Sequence, residues 1–163
     1  NKYYLVEMYI RNFYRKKLID TLVDNKFPVK IVGEWWDKYD KSDRIKLHKP
    51  VAFEQSLDMI AKSRILADSS PFFKMGVHDR VYAGMANNTV VMTDSNKYRE
   101  NILNGIAQMY HLNDIDDICV KADKLLNDRA YYENLVYNAH KEYEYNYTWN
   151  KVGERSIKHF LCE

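Results

Sequence analysis

Short runs of apolar residues alternate with helical segments along this chain of 163 residues. The clearest runs cover residues 29–32, 64–67 and 89–92, and the first two end at Gly33 and at the turn 68–71. Unbroken apolar strands of this length are typical of a parallel sheet buried on both faces, because a half-exposed strand alternates apolar with polar side chains. The pattern therefore predicts an α/β domain with a doubly wound, Rossmann-like parallel sheet.

Two further runs, 44–47 and 105–110, complete a predicted sheet of about five strands, although the second of these is ambiguous. Apolar spacings of three and four residues, together with capping residues, predict helices on both faces and a helical C-terminal tail. These helices cover residues 3–23, 54–62, 78–86, a segment from Lys97, 114–126, 129–144 and 148–161. No repeat, charge block or low-complexity linker divides residues 1–163, so we expect a single domain.

Charge and cysteine content exclude several classes of protein. The chain has 25 Lys and Arg against 23 Asp and Glu, a net charge of +2, which argues against a nucleic-acid partner bound through bulk charge. No apolar run approaches the roughly 18 residues of a transmembrane segment. Cys119 and Cys162 lack the spacing of a metal site, and two unlinked thiols indicate a reducing, cytoplasmic location. Because the sequence begins at Asn1 rather than Met, we expect it to be part of a longer protein.

Ligands of doubly wound sheets bind beyond the carboxyl ends of the strands, so the loops at those ends hold the candidate residues. One of these loops combines a Ser-rich turn containing Ser69, then Gly76, then the start of a helix, which presents free backbone amides to an anion. Arg80 lies in the first turn of that helix, where its charge opposes the helix dipole. Its planar guanidinium is suited to a phosphate, and Asp79 can hold it in position. The alternative is an ion pair of Arg80 with a carboxylate, without any ligand.

The other candidates lie in the same four loops. His78 can donate to a phosphate or act as an acid, or it is an exposed or capping residue. Gly33 lets the backbone approach a ligand, and Trp36 either stacks on a sugar or packs against the sheet edge. Further ligand-binding candidates, chosen by their position in these loops, are Lys49, Asp94 and Asn96.

Several familiar catalytic patterns are absent from the sequence. It contains no GxGxxG fingerprint, no P-loop, no HExxH and no nucleophile elbow. We therefore expect no cofactor and no metal ion. The sequence therefore predicts non-covalent binding of a phosphorylated ligand rather than covalent catalysis.

The stretch 76–98, which reads GVHDRVYAGMANNTVVMTDSNKY, resembles the donor-binding region of GT-B glycosyltransferases, nearest to the group-1 and spore-coat CgeB-like branch. That branch shows Arg-x-Phe-x-x-x-Ala-x-Gly followed by an apolar strand that ends in Thr-Asp. The matching residues here are Arg80, Tyr82, Ala86, Asn88, Thr93 and Asp94. Gly33 and Trp36 are similar to that family's Gly-x-x-Trp, and the segment 147–149 is similar to its tail.

The resemblance implies a nucleotide-sugar donor, with UDP, GDP or a similar nucleotide, whose diphosphate lies near Gly76–Arg80. It implies that Arg80 offsets the charge of the departing diphosphate, that His78 assists, and that the acceptor binds to a separate N-terminal half missing from this chain. Ala83 stands where many members carry a Glu that holds the donor ribose. A non-catalytic Rossmann-like module that docks another protein is the main alternative. A sugar-nucleotide epimerase is disfavoured, because the glycine fingerprint is missing.

Overall fold

The computed structural model describes residues 2–36, 39 and 43–161. Helices and strands alternate in chain order as the sequence predicts. They are α1 (Lys2–Asp24), β1 (Val29–Val32), β2 (Ile45–His48), α2 (Phe53–Ala61), β3 (Ile65–Ala67), α3 (Asp79–Ala86), β4 (Val90–Asp94), α4 (Lys97–Ile102), β5 (Gln108–Tyr110), α5 (Ile115–Asn127), α6 (Arg129–Asn146) and α7 (Trp149–Leu161). Cys162 lies outside the described residues.

Every strand pair in the described residues is parallel, which confirms the predicted α/β, Rossmann-like architecture. The strands form two sheets rather than one continuous sheet. β1 pairs with β2 from Val29↔Ile45 to Val32↔His48, and the second sheet has the order β3-β4-β5. β1 and β3 thus each lie at the edge of their own sheet.

β4 is the centre of the three-stranded sheet, and all five of its residues are buried. Val90 and Met92 pack into a core cluster with Leu18 and Leu22 of α1 and with residues of α5 and α6. Val91, between them, packs into a second cluster with α3. Because successive side chains of a strand point to opposite faces, helices cover both faces of this sheet. This burial is the reason that the first three residues of β4, Val90–Met92, form an unbroken apolar run.

The last predicted strand, 105–110, is shorter in the structure. Gly105 has a φ of 75°, a left-handed conformation that belongs to a turn rather than to a strand. The chain therefore enters β5 only at Gln108. No helix among the described residues combines the length and the apolar character needed to cross a membrane.

Candidate functional site

A cavity of about 960 Å³ lies between the edge strands β1 and β3. β2 lies on the side of β1 away from the cavity, and β4 and then β5 lie on the side of β3 away from it. The strand order therefore reverses between these two strands, and such a reversal is where doubly wound sheets bind ligands. Four of the predicted site residues line this cavity, namely Gly33, Trp36, Ser69 and Arg80.

The loop after β1 forms one side of the cavity mouth. Gly33 has a φ of 143°, in the region that favours glycine, so a side chain at this position would strain the turn. The ring of Trp36 lies beside Gly33 and meets the ring of Tyr39 edge-on, with centroids 5.7 Å apart. Trp36 is thus partly committed to packing and still lines the cavity.

Arg80 of α3 also lines the cavity. Its Nη1 forms an ion pair with Asp68 Oδ1 at 3.1 Å, and its Nη2 lies 3.0 Å from His78 Nε2. The Asp68 side chain is fully buried at the end of β3, whereas the Arg80 side chain is 37% exposed. The sequence predicted that Asp79 could hold Arg80, but the carboxylate that pairs with its guanidinium is Asp68. A buried partner fixes the guanidinium at the cavity while leaving part of it accessible.

Arg15 of α1 is a second guanidinium at this cavity, and the sequence did not single it out. Burial, and then the proximity of Arg80, lowers its pKa, while Asp68 opposes the shift. From the sequence alone, the basic run Arg15–Lys17 is most simply interpreted as a solvated helix face. Helical periodicity indicates instead that Arg15 lies on the buried face of α1, because it precedes the buried Leu18 by about one turn.

His78 and Asp79 cap the start of α3. The backbone amide of Arg80 donates to His78 Nδ1 at 3.3 Å and to Asp79 Oδ1 at 2.8 Å, and the amide of Val81 donates to the His78 carbonyl. These two amides, which the sequence suggested for an anion, already have acceptors within the chain. Asp79 itself is 82% exposed and pairs with His78.

Asp94 and Arg99 form a buried ion pair beneath the loop that follows β3. Arg99 Nη1 donates to Asp94 Oδ2 at 2.7 Å, and its Nη2 donates to the Ser70 carbonyl at 2.9 Å. The Ser70 amide donates to Asp94 Oδ1 at 2.6 Å. Asp94, predicted to bind substrate, is thus 2% exposed and holds the Ser70 turn in place. Arg99, which the sequence did not single out, is fully buried.

The remaining predicted residues lie away from the cavity lining. Asn96 caps α4 by accepting a bond from the Arg99 amide at 2.9 Å, and its amide group donates to the Phe73 carbonyl. Gly76 lies near the Phe73 ring. Lys49 is exposed after the outer strand β2. These three residues shape the loops or face solvent rather than line the crevice.

Ser69 is a buried polar residue of the cavity lining. It is 3% exposed, and its hydroxyl has no hydrogen-bond partner among the described residues. Close by, the Tyr110 hydroxyl donates to the Asp68 carbonyl at 2.8 Å, and burial raises the pKa of this phenol. In the described part of the chain, no three His, Cys, Asp or Glu side chains come together as metal ligands.

Comparison with known proteins identifies the class of protein to which this fold and crevice belong. Residues 11–157 match the model of the glycosyl transferase-like family, so the chain belongs to that family. Its fold is similar to that of sucrose-phosphate synthase from Thermosynechococcus elongatus, with a TM-score of 0.68 and 15% sequence identity. The match covers 91% of this chain and 44% of the synthase chain, so this chain spans less than half of that protein. A comparison with curated protein sequences finds no significant match.

The family and the fold together support a GT-B glycosyltransferase domain. Two pieces of the resemblance seen in the sequence meet in space. The ring centroids of Tyr82, from the helix motif, and Tyr147, from the tail motif, are 4.7 Å apart. The tail is therefore packed against the helix that carries Arg80.

Proposed function

We propose that this chain is the donor-binding half of a glycosyltransferase, and that the end of the crevice beyond the carboxyl ends of β1 and β3 binds the diphosphate of a UDP-, GDP- or similar nucleotide-sugar. The observation that carries the proposal is the convergence of Arg15 and Arg80 on the crevice where the strand order reverses. Two guanidiniums from different elements suit a diphosphate, whose oxygens accept bidentate hydrogen bonds.

Arg80 acts on the leaving group in this proposal. As the bond to the sugar breaks, negative charge grows on the diphosphate, and a guanidinium already in place stabilises that charge. Asp68 keeps Arg80 in place before the donor arrives, and His78 supports the other edge of the same guanidinium. Arg80 is therefore held in position by the fold itself, so donor binding does not have to immobilise it.

The other residues of the crevice are assigned to the neutral parts of the donor. The Ser69 hydroxyl, which has no hydrogen-bond partner among the described residues, is assigned to a sugar oxygen, and the backbone at Gly33 permits close approach. Trp36 offers a flat surface to the base or the sugar. Glu34 also lines the cavity, and its carboxylate can accept bonds from sugar hydroxyls.

The acceptor and the catalytic base belong, in this proposal, to a separate N-terminal half of the protein. The coverage of only 44% of the synthase chain supports a longer enzyme. We place the chain, residues 1–163, as one cytoplasmic domain of that enzyme, in the CgeB-like branch that the motif 76–98 resembles.

A second candidate is a non-catalytic interaction module. The observation that favours it is the exposed apolar surface of α7, where Trp149, Phe160 and Leu161 are each more than three-quarters exposed. Ala83, in place of the Glu that many glycosyltransferases carry, points the same way.

Calorimetric titration of UDP and GDP into the protein tests the donor site. We expect Arg80→Ala to weaken binding of the preferred nucleotide by about 1.5–3 kcal/mol, the range for a hydrogen bond to a charged group. The matched control is Arg129→Ala, which removes the same charge from an exposed pair with Glu133 and leaves binding unchanged.

A second variant is needed to separate an effect on folding from an effect on binding, since Arg80→Ala leaves Asp68 buried without its partner. The double variant Arg80→Ala/Asp68→Asn removes that charge and should still bind weakly. An affinity for UDP or GDP that is equal in wild type and in both Arg80 variants would contradict the proposed role.

A further inference from the structure

The facing edges of β1 and β3 carry backbone groups that no strand of the described chain pairs. The amides of Val29 and Gly33 donate to carbonyls of the β2 side, at 3.1 Å each. Since alternate residues of a strand direct their backbone groups to opposite edges, Lys30 and Val32 direct theirs into the cavity. By the same alternation, the Asp68 amide donates to the Met92 carbonyl at 2.8 Å, so Ala67 faces the cavity.

The cavity is also bounded above and below by apolar side chains. Leu18 and Leu22 of α1 line one face, in the core cluster shared with α5. Met59 and Ile60 of α2 line it as well, and α2 contacts α3, which covers the opposite face of β4. A space between two helical layers, with sheet edges on both sides, has the surroundings of a central parallel strand.

The exposure of the edge strands agrees with this interpretation. Val32 is 38% exposed and Ala67 is exposed, whereas Ile31, next to Val32 in β1, and Met92, the partner of Ala67 in β4, are buried. Backbone polar groups enclosed by apolar layers are costly unless they are paired. One added parallel strand would bond to both edges and cover both side chains.

Topology specifies which segment fits. In the doubly wound order the first strand lies in the middle, the second and third lie on one side, and the fourth to sixth lie on the other. β1 and β2 match the second and third places, and β3, β4 and β5 match the fourth to sixth. The helix that leads from the first strand to the second is then α1, as in a right-handed βαβ unit.

We propose that the cavity between β1 and β3 holds an apolar β-strand of the protein's own polypeptide, parallel to both, which continues directly into α1. The strands that it would pair with have four residues in β1 and three in β3. Its carboxyl end falls between Gly33 and Ser69, so the turn into α1 lies beside Arg15 and Arg80. The same segment thus joins the two sheets into one and contributes its turn to the end of the crevice where Arg15 and Arg80 lie.

Hydrogen exchange of the complete polypeptide, without nucleotide, tests this proposal independently of donor binding. The amides that face the cavity, those of Lys30, Val32 and Ala67, should be protected as strongly as the reference amides of Ile31 and Leu66, which face strands already paired. Protection of about 100-fold or more over an unstructured peptide is expected for both sets. Rapid exchange of the cavity-facing amides beside protected references would overturn the proposal. Protection that is lost on dilution would assign the cavity to a second copy and would also overturn it.

A pair of proline variants gives a second readout. Proline is tolerated where a strand amide faces solvent and is disruptive where that amide bonds to a neighbouring strand. Lys30→Pro should therefore lower the melting temperature by several degrees more than Leu47→Pro, because Leu47 faces the outer edge of β2 by the alternation described above. Equal melting temperatures of the two variants would overturn the proposal, and the exchange experiment on the unmodified protein does not depend on either variant folding.

Discussion

Two buried carboxylates at the ends of neighbouring strands have different arginine partners. Asp94 is paired with Arg99, whose side chain is 1% exposed, and Asp68 is paired with Arg80, whose side chain is 37% exposed. The first pair is internal and fixes the turn at Ser70. The second leaves part of its guanidinium at the crevice. The exposure of the guanidinium thus distinguishes the structural pair, Asp94–Arg99, from Asp68–Arg80, whose arginine is proposed to bind the donor.

Removal of Arg99 should be severe at the level of the single residue. Arg99→Met leaves Asp94 buried without a counter-charge, so we expect it to lower the free energy of unfolding by about 3–5 kcal/mol. Arg129→Met, which breaks an exposed pair with Glu133, should cost about 0–1 kcal/mol. Urea denaturation of the two variants measures both values. Similar midpoints for the two would show that the Asp94–Arg99 pair does not stabilise the fold.

Residue types alone could not assign the roles of these groups. Asp94 was predicted to contact substrate because it follows a strand, and its burial beside Arg99 depends on a contact made across the sheet end. Arg80 is predicted to bind a phosphate, with a carboxylate pair as the alternative, and the structure pairs it with Asp68. Helical periodicity places Arg15 on the buried face of α1, but the groups near it, Asp68 and Arg80, come from segments far along the chain.

At the scale of elements, α3 packs unusually closely on the sheet at Gly84. A Cβ at this position would overlap Val91 Cγ2 and lie 3.3 Å from Leu66 Cδ2. The backbone of the helix at Gly84 therefore packs directly on the side chains of Val91 and Leu66. Because α3 begins with His78 as its cap and carries Arg80, this approach also sets the height of Arg80 above the sheet.

Substitution of Gly84 tests that packing. Gly84→Ala should destabilise the protein by about 1–3 kcal/mol, since the added methyl forces the helix from the sheet. Gly153→Ala is the matched control in α7, where a Cβ meets nothing within 4 Å. It should stabilise the protein by up to about 1 kcal/mol through helix propensity. Thermal and urea unfolding measure the two effects, and the same sign for both variants would rule out close packing at Gly84.

At the scale of the whole molecule, the donor-binding and interaction-module hypotheses predict different responses to nucleotides. A ligand that binds only the folded state at 100 times its Kd adds about 2.7 kcal/mol of stability, or about 5–10 °C in Tm for a chain of this size. We expect UDP or GDP to produce such a shift. Uridine and guanosine, which lack phosphates for Arg15 and Arg80, should produce little. No shift with any nucleoside diphosphate would favour the interaction module.

The sequence by itself determined the class of fold and the order of its elements, because strand burial and helix amphipathicity are local patterns that survive in the chain. Val90–Met92 of β4 are apolar since both faces of the strand are covered, and α5 has regular apolar spacing since one face packs on the core. The tertiary structure decided which residues meet. The division into two sheets, the pairing of Arg80 with Asp68 and the position of Arg15 all depend on contacts between distant segments, and no local pattern specifies which distant group a side chain will reach.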